Sequence, residues 1–234
     1  MKNNNLKKTR NKAENLSGIK TVIFDLDYTL FKHDVEYEIR FDIVYLGIKD
    51  EAEFRRQMVP FWQKVSAAYK NKIITEEFFS NIIEKSLPIL KTEKIPAKKM
   101  LESIMERRVV ELYEGTKEIL SYCKGKGYKI VALTDWFKDN QFENLVFWNI
   151  DKYFDEVYGW DNSYAKPSLV NMNKIIKNED PNSFVIIGDN LKTDIICGSK
   201  AGINTILFNN RNLEIKDVIP TFEIKHLKEL KRIL

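Results

Sequence analysis

Thr21, Val22, Ile23, Phe24, Asp25, Leu26, Asp27, Tyr28 and Thr29 form the stretch on which the reading of this chain turns. Its first four residues are β-branched or aromatic, the continuous character of a strand buried on both faces. Two aspartates then flank a leucine. Capping a helix or opening a turn accounts for one acid after a strand; it does not account for both.

Similar runs recur at Lys129 to Leu133, Phe184 to Ile187 and Asn204 to Phe208, with a weaker one at Glu156 to Tyr158. Helical segments lie between them: Thr116 to Lys126 closed by Gly127, Lys138 to Trp148, Ser168 to Lys177, and Leu191 to Lys200 closed by Gly202. This alternation predicts an α/β fold with a Rossmann-like parallel sheet and right-handed crossovers. From about Asp34 to Arg108 the alternation stops. Apolar stripes at helical spacing take its place: Tyr37, Phe41, Tyr45 and Ile48; Phe54, Met58, Phe61, Trp62, Val65 and Tyr69; Phe78, Phe79, Ile82 and Ile83; Met100, Ile104 and Met105. Four amphipathic helices are expected there, packed as an all-helical insertion after the first strand.

A chain of 234 residues, 44% hydrophobic and 31% charged, has enough apolar surface for a substantial core. Its formal charge of +4 comes from interspersed charges of both signs, which does not point to nucleic acid. Residues 1–16 carry Lys2, Lys7, Lys8, Arg10 and Lys12 among asparagines and read as a disordered basic arm. No apolar run approaches a membrane span or a secretory signal, so a cytoplasmic location is expected. Cys123 and Cys197 fall in helical segments and read as packing residues. His33 and His226 lack neighbours at ligand spacing and are set aside as non-catalytic.

Open parallel sheets bind ligands at the carboxyl ends of their strands. Polar residues collect at those ends here: Asp25 and Asp27, Thr134 and Asp135, then Asp189 with Asp194 a turn later. Lys166 lies in the loop after the weaker strand. Two carboxylates about 4 Å apart repel by roughly 4 kcal/mol at an effective dielectric near 20, so such a gathering calls for a cation. Oxygen-only ligands favour a hard ion such as Mg²⁺, which retains waters and a substrate phosphate. Thr134 and Lys166 offer a donor and a positive charge suited to a phosphoryl group.

These residues resemble the haloacid dehalogenase superfamily over most of the chain from Lys20 to about Phe208. Asp25-Leu26-Asp27-Tyr28-Thr29 matches its first motif, Thr134 its second, Lys166-Pro167 its third, and Gly188-Asp189 with Asp194 its fourth. The resemblance implies Asp25 as the nucleophile, Asp27 as acid and base, and Thr134 and Lys166 at the phosphate pocket; Asp135, a departure where many relatives carry Asn, is expected beside them. It implies Mg²⁺ held by Asp25, the Asp27 carbonyl, Asp189 and Asp194. Residues 17–32 and 109–234 become a catalytic core and 33–108 a helical cap, hinged near Phe31 to Asp34 and Val109 to Gly115. The substrate is then a small phosphorylated metabolite: a nucleotide, a sugar phosphate or a phospho-acid. A phosphomutase or phosphotransferase of the same family is the alternative. Dehalogenases lack the second aspartate of the first motif, so Asp27 argues against that chemistry. A silent binding module would have no need of the full set.

Overall fold

The computed structural model of the chain describes residues 15–69, 72–91, 94–160 and 163–234. Six parallel strands form its main sheet: β1 (Thr21–Phe24), β2 (Lys129–Leu133), β3 (Glu156–Tyr158), β4 (Phe184–Gly188), β5 (Asn204–Phe208) and β6 (Phe222–Ile224). Their order is β6-β5-β4-β1-β2-β3, so the sequence changes direction around β1, which pairs with β4 on one side and β2 on the other. Phe24 lies opposite both Ala132 and Ile187, and the strand ends that carry the acids are therefore level.

Side chains alternate across β1 and divide the core. Val22 and Phe24 pack with Ile119, Leu120 and Cys123 of helix α5 (Thr116–Gly125) and Leu145 of α6 (Lys138–Phe147), numbering four earlier helices described below as α1 to α4. Ile23 faces Met172, Ile175 and Ile176 of α7 (Val170–Ile176) and Cys197 of α8 (Ile196–Ala201). Both cysteines are buried and free. The sixth strand was not foreseen. Only Ile224 of its three residues is fully buried, so it lacks the apolar run of an inner strand.

Between β1 and α5 come α1 (Val35–Leu46), α2 (Glu51–Ala68), α3 (Glu76–Ser86) and α4 (Ala97–Glu106). Side chains of Asp34, Asp50 and Thr75 accept the first free N–H groups of α1, α2 and α3, which fixes those helix starts. Phe54, Met58, Phe61, Val65, Phe79, Ile83, Met100 and Ile104 fill the bundle interior. On α1 the buried face differs from the expected stripe. Asp42, Ile43 and Leu46 point inward, while Tyr37, Phe41 and Tyr45 are half-exposed, their successive ring centroids 6.4 and 5.7 Å apart. Asp42 is tolerated inside because Ser103 donates to it at 2.7 Å and Arg107 lies 3.5 Å away.

The chain enters and leaves this bundle side by side, Phe31–Lys32 pairing antiparallel with Glu111–Leu112. A second short antiparallel ribbon joins Ile73–Ile74 of the bundle to Ser163–Tyr164 of the core. The arm expected over residues 1–16 lies outside the described residues as far as residue 14. Leu16 is described: its N–H donates to the Ile233 carbonyl at 2.7 Å and its side chain packs on the core. No helix among the described residues is long and apolar enough to cross a membrane.

The bundle docks on the core through an aromatic cluster. Phe79, fully buried, meets Trp136, Phe137 and Trp160 with ring centroids 5.4, 5.3 and 5.8 Å away. Phe79→Ala is expected to cost about 3–5 kcal/mol, read as a lower urea midpoint. A loss under about 1 kcal/mol would contradict this packing.

Candidate active site

The sheet delivers Asp25 to the point where strand order reverses. Its N–H donates to the Ile187 carbonyl of β4 at 2.9 Å, extending the ladder one residue beyond β1. The chain then folds back tightly, the Leu26 carbonyl accepting from the N–H groups of Thr29, Leu30 and Phe31. That turn brings the Thr29 hydroxyl to Asp25 Oδ2 at 3.1 Å. From the other side Lys166 Nζ donates to Asp25 Oδ1 at 2.5 Å, to Asp194 Oδ1 at 2.6 Å and to the Leu133 carbonyl at 3.0 Å.

Asp189 follows β4 directly, and Asp194 comes from a single π-helical turn over Leu191–Ile195. The Asn190 N–H donates to Asp194 Oδ2 at 3.1 Å, turning that carboxylate back toward β4. Gly188 makes the approach possible, since a Cβ there would collide with the Asp194 carboxylate. One oxygen from each of Asp25, Asp189 and Asp194 lies within 4.8 Å of the others, all three buried.

The charges in this cluster do not balance. One ammonium, that of Lys166, meets two of the three carboxylates, and the Asp25 and Asp189 carboxyls are both shifted up. Burial, then the charge of Asp194, drives the Asp25 carboxyl well above its ordinary value in spite of Lys166. The same two causes push Asp189 up to about 6. Burial opposes the charge on Lys166, but Asp194, Asp25 and Asp135 outweigh it and hold the ammonium well above the ordinary lysine range. A hard divalent cation among three buried carboxylates relieves this repulsion, so the donor set fits such an ion. Arg211 supplies part of the missing charge here through an ion pair with Asp189, and its guanidinium lies 5.4 Å from the Tyr28 ring.

Asp27 stands in a different setting. Its Oδ2 accepts from Gln141 Nε2 at 2.6 Å and the Thr134 hydroxyl at 3.3 Å, and its Oδ1 meets His33 Nε2 at 2.7 Å. Burial raises this carboxyl, but the hydrogen bond and charge of His33, with the Gln141 bond, outweigh it and leave Asp27 below its ordinary value. His33 is shifted the other way. Burial lowers it, yet bonds to Asp27 and Glu38 push it up to about 10. The structure thus gathers Asp25, Lys166, Asp189 and Asp194 at one point with Asp27 and Thr134 beside them. Asp135, expected at the phosphate pocket, accepts the Lys166 backbone N–H at 2.7 Å and so braces that loop.

His33 and Gln141 had not been singled out as site residues. Gln141 had a signal: Asn140, Gln141 and Asn144 form a polar run on the face of α6 that also carries buried Leu145. A cleft of about 330 Å³ opens between core and bundle at this point, lined by Asp27, Tyr28, His33, Trp62, Arg107 and Asn140 among others.

The sequence pattern of the haloacid dehalogenase-like hydrolase family matches residues 22–208. The chain belongs to this family. A relative, the phosphoglycolate phosphatase of Aquifex aeolicus, is 23% identical over 221 residues, covering 92% of this chain and 97% of that protein. The glyceraldehyde 3-phosphate phosphatase of Methanothermobacter thermautotrophicus is 26% identical over 130 residues, 50% of this chain, and the match spans only 58% of that protein. Among solved structures, the magnesium-bound HAD-hydrolase YfnB of Bacillus subtilis superposes with a TM-score of 0.68 at 19% identity, covering 91% of this chain and 96% of that one. At that identity the likeness establishes the fold.

Gly188→Ala tests the acidic cluster directly. The wild-type chain is expected to gain thermal stability on adding Mg²⁺, by about 2.7 kcal/mol at a hundredfold excess over the dissociation constant. The variant is expected to lose that gain while keeping its far-ultraviolet circular dichroism. An unchanged Mg²⁺ effect in the variant would contradict the geometry.

Proposed function

We propose that this chain is a magnesium-dependent phosphatase acting on a small phosphorylated metabolite through an aspartyl-phosphate. The observation that carries the proposal is the buried trio Asp25, Asp189 and Asp194, in which Asp25 and Asp194 share one ammonium, with a second, separately held carboxyl at Asp27. Enzymes split slow displacements by forming covalent intermediates, and a carboxylate serves as such a nucleophile.

In this reading the Asp25 carboxylate attacks phosphorus, the P–O bond to the leaving group breaks, and the phosphoryl group rests on Asp25. Asp27 gives a proton to the departing oxygen, then takes one from the water that attacks the phosphoryl group and restores Asp25. Lys166 and Thr134 hold phosphoryl oxygens, while Asp135 keeps Lys166 in place. Asp25, Asp189 and Asp194, with the Asp27 carbonyl, would hold Mg²⁺. Bound there, the ion neutralises charge on the phosphoryl group and the carboxylate approaching it. A hard cation is indicated by the all-oxygen donor set, and the YfnB structure similar to this one holds magnesium. The cleft between core and bundle has the volume of a small-molecule site, and the named relatives act on small phosphate esters. Docked over the strand ends, the bundle serves as a cap that shields the reaction from bulk water.

Purified protein is expected to release phosphate from a generic aryl phosphate with Mg²⁺ present and not after chelation. Asp25→Asn is expected to lower that rate by at least about 10³-fold. Metal-independent release, or an undiminished rate in Asp25→Asn, would overturn the proposal.

A further inference from the structure

His33 lies in the segment where the chain first crosses from core to cap, and both its ring nitrogens are engaged. Nε2 meets Asp27 Oδ1 at 2.7 Å and Nδ1 meets Glu38 Oε1 at 2.6 Å. The imidazole therefore bridges these two carboxyl groups. Glu38 belongs to α1, the first cap helix, and Arg107 Nη1 stands 3.3 Å from its Oε2. Arg107 follows α4, at the point where the chain returns to the core. The row Asp27, His33, Glu38, Arg107 therefore ties the core carboxyl to both crossings.

Tyr28 adds a contact on the face of the imidazole, with ring centroids 4.7 Å apart. It does so from a left-handed backbone with φ 61°, a conformation that costs a residue other than glycine about 1–3 kcal/mol.

We propose that His33 is the positioning residue for Asp27: anchored by Glu38 on the cap, it aims the Asp27 carboxyl at the leaving-group oxygen, so that acid catalysis requires a docked α1. This rests on the reading of Asp27 as acid and base. It predicts a dependence on the leaving group that a hinge staple does not. An aryloxide departs with little need of a proton, whereas an alkoxide requires one, so misplacing the acid penalises alkyl phosphates selectively.

The test compares kcat/KM for aryl and alkyl phosphates in the wild type, Asp27→Asn, His33→Ala and Glu38→Gln, all with Mg²⁺. His33→Ala is expected to lose about 10²-fold with alkyl phosphates and under about threefold with aryl phosphates. Glu38→Gln, which leaves His33 in place, is expected to show the same selectivity at smaller amplitude and carries the test should His33→Ala fold poorly. Equal losses on both substrate classes, or no loss, while Asp27→Asn still discriminates, overturn the role of His33 alone. If Asp27→Asn itself fails to discriminate, the acid reading falls and this proposal falls with it.

Discussion

Lys166 holds one ammonium 2.5 Å from Asp25 and 2.6 Å from Asp194 with all three side chains almost wholly buried, and the rest of the site is arranged around that contact. Charges removed from water lose several kcal/mol of hydration each, and breaking a buried pair by deleting one partner costs about 3–5 kcal/mol. Such a cluster persists only where other groups satisfy it. The Leu133 carbonyl takes another Lys166 hydrogen, Thr29 and Asn190 donate to the carboxylates, and Asp135 anchors the Lys166 backbone. The sheet supplies this gathering cheaply, because β1, β2 and β4 end level with one another and their next residues converge without further chain.

The same electrostatics separate the two carboxyls of the first motif. Asp25 is crowded by Asp194 and shifted up, whereas Asp27, two residues on, is surrounded by donors and shifted down. Burial and neighbouring groups rather than sequence position set this contrast. The helical bundle contributes to it physically: Glu38 meets His33, which meets Asp27, from a helix that Asp34 caps immediately after the crossing.

Inner strands and carboxylate positions were legible because burial on both faces leaves an unbroken apolar run, and an acid after such a run stands out. The edge strand Phe222–Ile224 was not, since only Ile224 among its three residues is fully buried. On α1 the aromatic spacing of Tyr37, Phe41 and Tyr45 is helical but marks a half-exposed row. The inward face includes Asp42, which no apolar pattern selects and which depends on Ser103 and Arg107 from distant sequence. His33 was set aside for want of neighbours at ligand spacing. Its partners are two carboxylates, six residues before it and five after, and only the turn at Asp34 brings Glu38 round to meet it.

Trapping the covalent intermediate tests the central claim most directly. Protein mixed with an aryl phosphate and Mg²⁺, quenched in acid within one turnover and analysed by peptide mass spectrometry, is predicted to carry a phosphoryl group on the peptide containing Asp25. The label should accumulate in Asp27→Asn, where water is activated slowly, and be absent in Asp25→Asn. Phosphate release without any such label in Asp27→Asn, or a label that persists in Asp25→Asn, would contradict the account.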